Sequence, residues 1–179
     1  MAKTVLISIR PEWVEKILAG EKTLEVRKTR PNMGTPFKCY IYCTNSGVAM
    51  GMWGKHGKVV GEFFCDKITR LTHVGFSGLP GIRLAAMKNG HTTDDSFDFS
   101  ESCLTTPQIE KYLGGKDGYA WHISKLEIYD DPKQLKRFKP WNRECKYNDL
   151  GFAIPNCGTC QDCIVKKPPQ SWCYVEELK

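Results

Sequence analysis

LISIRPEWVEKILAGEKTLEVRK, residues 6–28, changes its hydrophobic period twice, and those changes decide how the rest of the chain is read. The β-branched run TVLISI (4–9) reads as a buried strand. Pro11 then suits the first turn of a helix, where its missing N–H costs nothing. Trp13, Val14, Ile17 and Leu18 recur at helical spacing on one face, and Gly20 provides a left-handed stop. After it the period drops to two: Leu24 and Val26 point one way, and Thr23, Glu25 and Arg27 the other, with Lys22 at the strand mouth. The eight positions after Gly20 carry five charges. Either this is a solvated edge strand, or it is one wall of a site that grips a charged, nucleotide-like ligand.

Outward from this unit the chain continues in strands. FKCYIYC (37–43) is one, and VVGEFFCDKITRL (59–71) is a longer one in which Gly61 marks a bend. NSGVAMGMWGKHGK (45–58) between them is a glycine-rich loop or hairpin tip. Residues 72–104 show no clear period, and DDSFDFS (94–100) reads as an acidic, turn-prone insertion. TTPQIEKYLGG has capping residues, a proline and a glycine end, which predicts a short helix at about 107–113. GYAWHISKLEIYD (118–130) alternates as a strand, and SWCYVEEL (171–178) closes the chain as another. Strands outnumber helices, and neither βαβ periodicity nor a glycine fingerprint appears. The expected fold is α+β, mainly β: a small closed or half-closed barrel with two or more short helices.

The chain of 179 residues has room for one domain with a real core, so residues 1–179 are read as a single domain. No apolar run is long enough to cross a bilayer. The opening MAKTVLISIRP lacks the long apolar stretch and small-residue cleavage site of a signal peptide, so a cytoplasmic location is expected. The glycines near residue 50 lack the Lys-Ser/Thr ending of a phosphate-binding loop. The histidines at 56, 73, 91 and 122 give no Ser-His-Asp order.

A net charge of +6 favours a polyanionic partner without requiring one. Its distribution is more informative. DPKQLKRFKPWNRECKY (131–147) holds six Lys/Arg against Asp131 and Glu144, with Phe138, Trp141 and Tyr147 interleaved. Cations that track phosphates beside rings that stack on bases suit single-stranded nucleic acid, with Lys136, Arg137 and Lys139 as the phosphate contacts. The alternative is a solvated loop whose aromatics anchor it to the core.

The nine cysteines fall into two groups. Cys39, Cys43, Cys65 and Cys103 are scattered and read as small core hydrophobes. NCGTCQDC brings Cys157, Cys160 and Cys163 into a C-x-x-C-x-x-C run, and Cys145 lies twelve residues upstream of it. Two-residue spacers let thiolates turn onto one tetrahedral ion, so these four form a candidate structural zinc site. It would stabilise a Cys-rich lobe at about 140–165, inserted before the last strand. Cys173 competes for the fourth position, but its alternation in the last strand places it in the core. A loop of unmetallated thiols is the other reading.

LISIRPEWVEKILAGEKTLEVRKTRP resembles the opening of an ASCH domain, a branch of the PUA-like superfamily, in bacterial and phage form. The resemblance rests on the helix ending in Ala-Gly followed by Gly-x-Lys-x-x-Glu-x-Arg. It is best over residues 4–30 and extends to 105–130 and 167–178. It implies a PUA-like β-barrel with a cleft between the first helix, the second strand and the barrel mouth, and a ligand that is RNA or a modified nucleoside. Arg10, Lys22, Glu25, Arg27 and Lys28 would then be ligand contacts. Of the aromatics Trp13, Tyr42 and Trp121, the last is the best stacking platform, because Trp121 and His122 alternate across one strand.

One small branch of the family hydrolyses acetylcytidine through the lysine of this motif, with a threonine three residues later, and another member is described as a ribonuclease. The resemblance therefore also implies an enzyme that uses Lys22. Glu25 stands where that branch has threonine, and no counterpart of its catalytic glutamate can be placed. A lysine becomes a base or nucleophile only when burial or a nearby cation disfavours its charge. A carboxylate at Glu25 opposes that and favours an ion-paired, ligand-gripping lysine, unless Glu25 itself transfers the proton. A third reading is an adaptor domain whose basic face meets a protein partner.

Overall fold

A computed structural model describes residues 2–46, 51, 54–75, 82–88, 91–92, 98–142 and 163–178. The fold class agrees with expectation: α+β, and mainly β. The strands are β1 (Lys3–Ile9), β2 (Leu24–Arg27), β3 (Phe37–Cys43), β4 (Lys58–Gly75), β5 (Ile82–Lys88), β6 (His91–Thr92), β7 (Gly118–Gln134) and β8 (Trp172–Glu176). Among the described residues the helices are α1 (Pro11–Leu18) and α2 (Thr106–Leu113), and 3-10 turns include Phe99–Ser102 and Leu135–Arg137. The chain divides into two compact units: Met1–Glu15 with Lys38–Phe63 and Leu126–Lys179, and Lys16–Phe37 with Phe64–Lys125.

In the first unit the hydrogen-bonded order is β7-β4-β3-β1-β8. β1 lies parallel to β3 (Val5↔Cys39 to Ile9↔Cys43) and antiparallel to β8 (Lys3↔Glu176 to Ile7↔Trp172). A strand paired on both edges and covered on both faces must be apolar nearly throughout, and Val5, Leu6 and Ile7 are wholly enclosed. Around Leu6 the core gathers Tyr40, Tyr42, Val59, Tyr129, Leu135, Phe138, Val165 and Val175, with Cys173 packed against it. Gly61, where the sequence predicts a bend, is a point of close backbone approach. A Cβ there would stand 2.5 Å from the carbonyl oxygen of Glu127 on β7, so only glycine allows the two backbones so close.

In the second unit the order is β2-β7-β4-β5-β6. Its core holds Leu24, Val26, Leu71, Ala86, Ile109, Leu113 and Ala120, with Phe99 and Leu104 against it. α2 begins in a reciprocal cap. Gln108 N–H donates to Thr105 Oγ1, and Thr105 N–H donates to Gln108 Oε1 at 2.8 Å. It ends at Gly114, whose φ of 66° supplies the left-handed stop the sequence announced.

Cys39, Cys43 and Cys65 are buried, as small core hydrophobes should be, and Cys103 is half-buried. Burial pushes the thiols of Cys43 and Cys65 up, to about 11 and about 12. Among the described residues no helix is long and apolar enough to cross a membrane.

Candidate functional site

Lys22, Glu25 and Arg27 are brought together, in the second unit, but in a setting the strand pattern did not predict. α1 ends at Gly20, whose φ of 75° reverses the chain. Lys22 N–H then donates back to Lys16 O at 3.1 Å, so the residue enters β2 anchored to the helix end. β2 runs antiparallel to β7, with Glu25 opposite Trp121 and Arg27 opposite Tyr119. Thr23 ties this edge down on two sides: its N–H donates to Glu101 O, and its carbonyl accepts from Ile123 N–H.

Alternation alone predicts that one face of β2 meets solvent. All four residues of the strand are in fact buried. The cover comes from the 3-10 turn Phe99–Ser102, started by Asp98, whose Oδ1 accepts from Ser100 N–H at 2.8 Å. Lys22 is correspondingly not at an open strand mouth; it is 2% exposed. Its Nζ donates to Leu24 O at 2.6 Å and to Ser102 O at 2.7 Å, and it meets Glu25 Oε2 at 3.2 Å. The other carboxylate oxygen, Oε1, pairs with Arg27 at 2.9 Å. Two cations thus flank one carboxylate, and each of its oxygens is held by a different cation.

This arrangement limits the chemistry. Three acceptors surround Lys22 Nζ, one for each donor an ammonium carries, which is the setting of an ion-paired anchor. Lys22 acts as the clasp that fastens the covering turn to β2 and fixes Glu25. Glu25 and Arg27 form a rigid donor–acceptor pair, with about a tenth of each side chain reaching solvent.

The aromatic expectations are revised. Trp121 is wholly buried and packs against the Phe37 ring at a centroid distance of 5.8 Å, edge to face, so it encloses the core and presents no stacking face. His122, on the alternate side of β7, is half-buried, and its Nε2 lies 3.0 Å from Thr69 Oγ1. Burial, aided by the charge of Lys67, lowers its pKa, which keeps the imidazole neutral at pH 7. Lys28 is exposed, with its ammonium 5.2 Å from the Tyr112 ring.

Arg10, Lys136, Arg137 and Lys139 lie in the first unit. Arg10 is exposed, 3.9 Å from Glu12. Lys136 and Arg137 are exposed on a 3-10 turn, and Lys139 is half-buried. Phe138 is fully buried, edge to face with Tyr40 at 4.9 Å, and Trp141 N–H bonds to Tyr174 O. Phe138 is thus an anchor in the core, while Lys136 and Arg137 are presented. Cys163 is buried, while Cys145, Cys157 and Cys160, like Tyr147, fall outside the described residues. Among the described residues no group of three or more metal-ligating side chains is assembled.

Sequence reasoning missed Ser102 and the turn that carries it. The one local signal was Asp98 two residues before Ser100, an N-cap pattern inside a stretch otherwise read only as acidic and turn-prone.

No protein-family profile and no curated protein matches the chain. Among solved structures it is similar to ASCH from Zymomonas mobilis, at a TM-score of 0.56 and 18% identity, over 97% of this chain and 88% of that one. Two mutants of that Zymomonas mobilis protein align equally, both at 0.56: one at 18% identity over 97% and 89%, the other at 19% over 98% and 92%. At such identity the likeness is one of fold: the chain has a mainly β fold similar to that of the Zymomonas mobilis ASCH structures.

Proposed function

We propose that the protein binds RNA or a modified nucleoside, and that Glu25 and Arg27 on β2 read the ligand while Lys22 positions them. The buried Lys22–Glu25–Arg27 row is the observation that carries this reading. A buried ion cluster is a poor device for stability, since well-packed apolar residues of similar volume serve as well or better. A carboxylate beside a planar guanidinium, however, matches the donor and acceptor groups on the edge of a base. The ASCH-like fold and the surplus of positive charge support the same reading, with Lys28 exposed in the same unit to meet a phosphate.

Arg27→Lys is the test. It keeps the charge and removes the planar fork, so the fold should persist while nucleoside affinity drops about tenfold. The affinities of cytidine, uridine and their modified forms are measured by calorimetry. Equal affinity in the variant would exclude β2 as the reading strand. Release of acetate from acetylcytidine by the unaltered protein would replace binding with hydrolysis as its activity.

The proposal extends to a structural zinc held by Cys145, Cys157, Cys160 and Cys163. A closed four-thiolate site has no open position, so its effect is on folding and not on chemistry. Reduced, purified protein should hold about one equivalent of zinc, and Cys157→Ser should abolish it. Elemental analysis finding neither zinc nor iron would return these cysteines to ordinary thiols.

A further inference from the structure

Two cation–aromatic pairs converge where β2 ends. Lys28 stands 5.2 Å from the ring of Tyr112, in the last turn of α2, and the Arg30 guanidinium stands 5.9 Å from the ring of Tyr119, near the start of β7. The pairing of Arg27 with Tyr119 brings these segments to one end of the second unit. Both cations are exposed. Tyr112 is 40% exposed, one of two large hydrophobic side chains so presented among the described residues.

Asp117, one residue before β7, is already engaged. Arg70 Nε donates to Oδ2 at 3.0 Å and Thr72 Oγ1 donates to Oδ1 at 2.7 Å. The bonds from Thr72 and Arg70 hold Asp117 below the usual carboxylate range and occupy both of its oxygens. An exposed ring serves no purpose in the core of this unit, and rings beside cations are the elements of a single-strand track: stacking for bases, charge for phosphates.

We infer that Tyr112, Tyr119, Lys28 and Arg30 form a docking surface for single-stranded RNA outside the β2 pair, carrying the strand whose base or modified nucleoside is read there. This rests on the RNA-binding reading above. Lys28 and Arg30 lie on either side of Thr29 just after β2, so the segment offers two exposed cations to the phosphates of one strand. A duplex has its bases stacked away and cannot use the tyrosines, which makes the surface selective for unpaired strands.

The experiment measures binding of a labelled ten-nucleotide single-stranded RNA, and of the same sequence as a duplex, to the full chain at several salt concentrations. Tyr112→Ala should weaken single-strand binding about tenfold and leave duplex binding unchanged. Lys28→Ala with Arg30→Ala should lower the salt slope by about 1.4, at about 0.7 per phosphate on a single strand. All three side chains are exposed, so the thermal midpoints should match the parent. Nucleoside affinity should also be unchanged in Tyr112→Ala, whereas Arg27→Lys lowers it. If the parent binds the RNA and the variants bind it equally, this surface is refuted and the β2 reading stands. If the parent binds nucleoside but no RNA, the surface is refuted alone. If it binds neither, both are refuted.

Discussion

Replacing Lys22 with Ala should lower the thermal midpoint by roughly 6–12 °C, the equivalent of about 3 kcal/mol for a chain of this length. The substitution removes the partner of two buried carbonyls, Leu24 O and Ser102 O, and one of the two cations on Glu25. Breaking a buried pair from one side leaves the remaining groups desolvated and unmatched, which costs more than the intact pair contributed. Lys22→Met separates shape from charge. It keeps the length of the chain, so it should recover the packing fraction of the loss and none of the electrostatic fraction. The turn Phe99–Ser102 should loosen first, because Lys22 holds its last carbonyl, and amide exchange at Ser102 to Leu104 should rise before that of β7. A midpoint within 1–2 °C of the parent would show that the ammonium does not clasp the turn. Loss of nucleoside binding in Lys22→Ala alone would not identify Lys22 as a ligand contact, which is why Arg27→Lys carries the functional test.

The same residue shows why the fold was legible and the site only partly so. Strand and helix boundaries around β2 follow from local chemistry: a two-residue period, Pro11 at the helix start and Gly20 at its end. They agree with the structure to within a residue or two. Lys22, Glu25 and Arg27 could also be grouped, because three charges within six positions cannot all point away from one another. What covers them could not be read, since the acceptor on Ser102 lies 80 residues further along. The 3-10 turn has no periodicity to betray it, and its Asp98 cap sits in a stretch with no apolar pattern. β5 was missed for a related reason. IRLAAMK has the composition of a helix, and it becomes a strand through pairing with the extension of β4, Arg70↔Met87 to Gly75↔Ile82. Trp121 was misjudged because alternation gives the two faces of β7 but not which face the core covers.

Lys38→Met should destabilise the protein by about 2–3 kcal/mol at pH 7 and by much less near pH 3, because the pairing it removes depends on ionised carboxylates. Lys38 Nζ bonds Glu62 Oε1 at 2.7 Å and Glu177 Oε1 at 3.0 Å, and Tyr129 OH donates to the other oxygen of Glu62. Tyr40 OH accepts from Leu178 N–H at 2.9 Å, so the same cluster secures the residues that follow β8. Burial by itself would push Glu62 up. The hydrogen bonds from Lys38 and Tyr129, with the charges of Lys38 and Lys133, outweigh it and leave the carboxyl below its ordinary range. A carboxylate depressed on folding contributes stability that is complete above its unfolded pKa, about 4.3, and is lost as pH falls through the lower folded value. Lys38 shifts the opposite way: burial opposes its charge, but its bonds to Glu62 and Glu177 prevail and raise it. Its contribution persists below about pH 10.4 and fades only above that, so neutral and mildly alkaline solutions leave the cluster intact. Chemical unfolding of parent and Lys38→Met between pH 3 and 8 therefore gives two curves that converge on the acid side. Glu62→Gln should flatten the acid limb of the parent curve in the same interval. Parallel curves, with an equal loss at pH 3 and pH 7, would mean that Lys38 acts through packing of its aliphatic stem and not through the carboxylates.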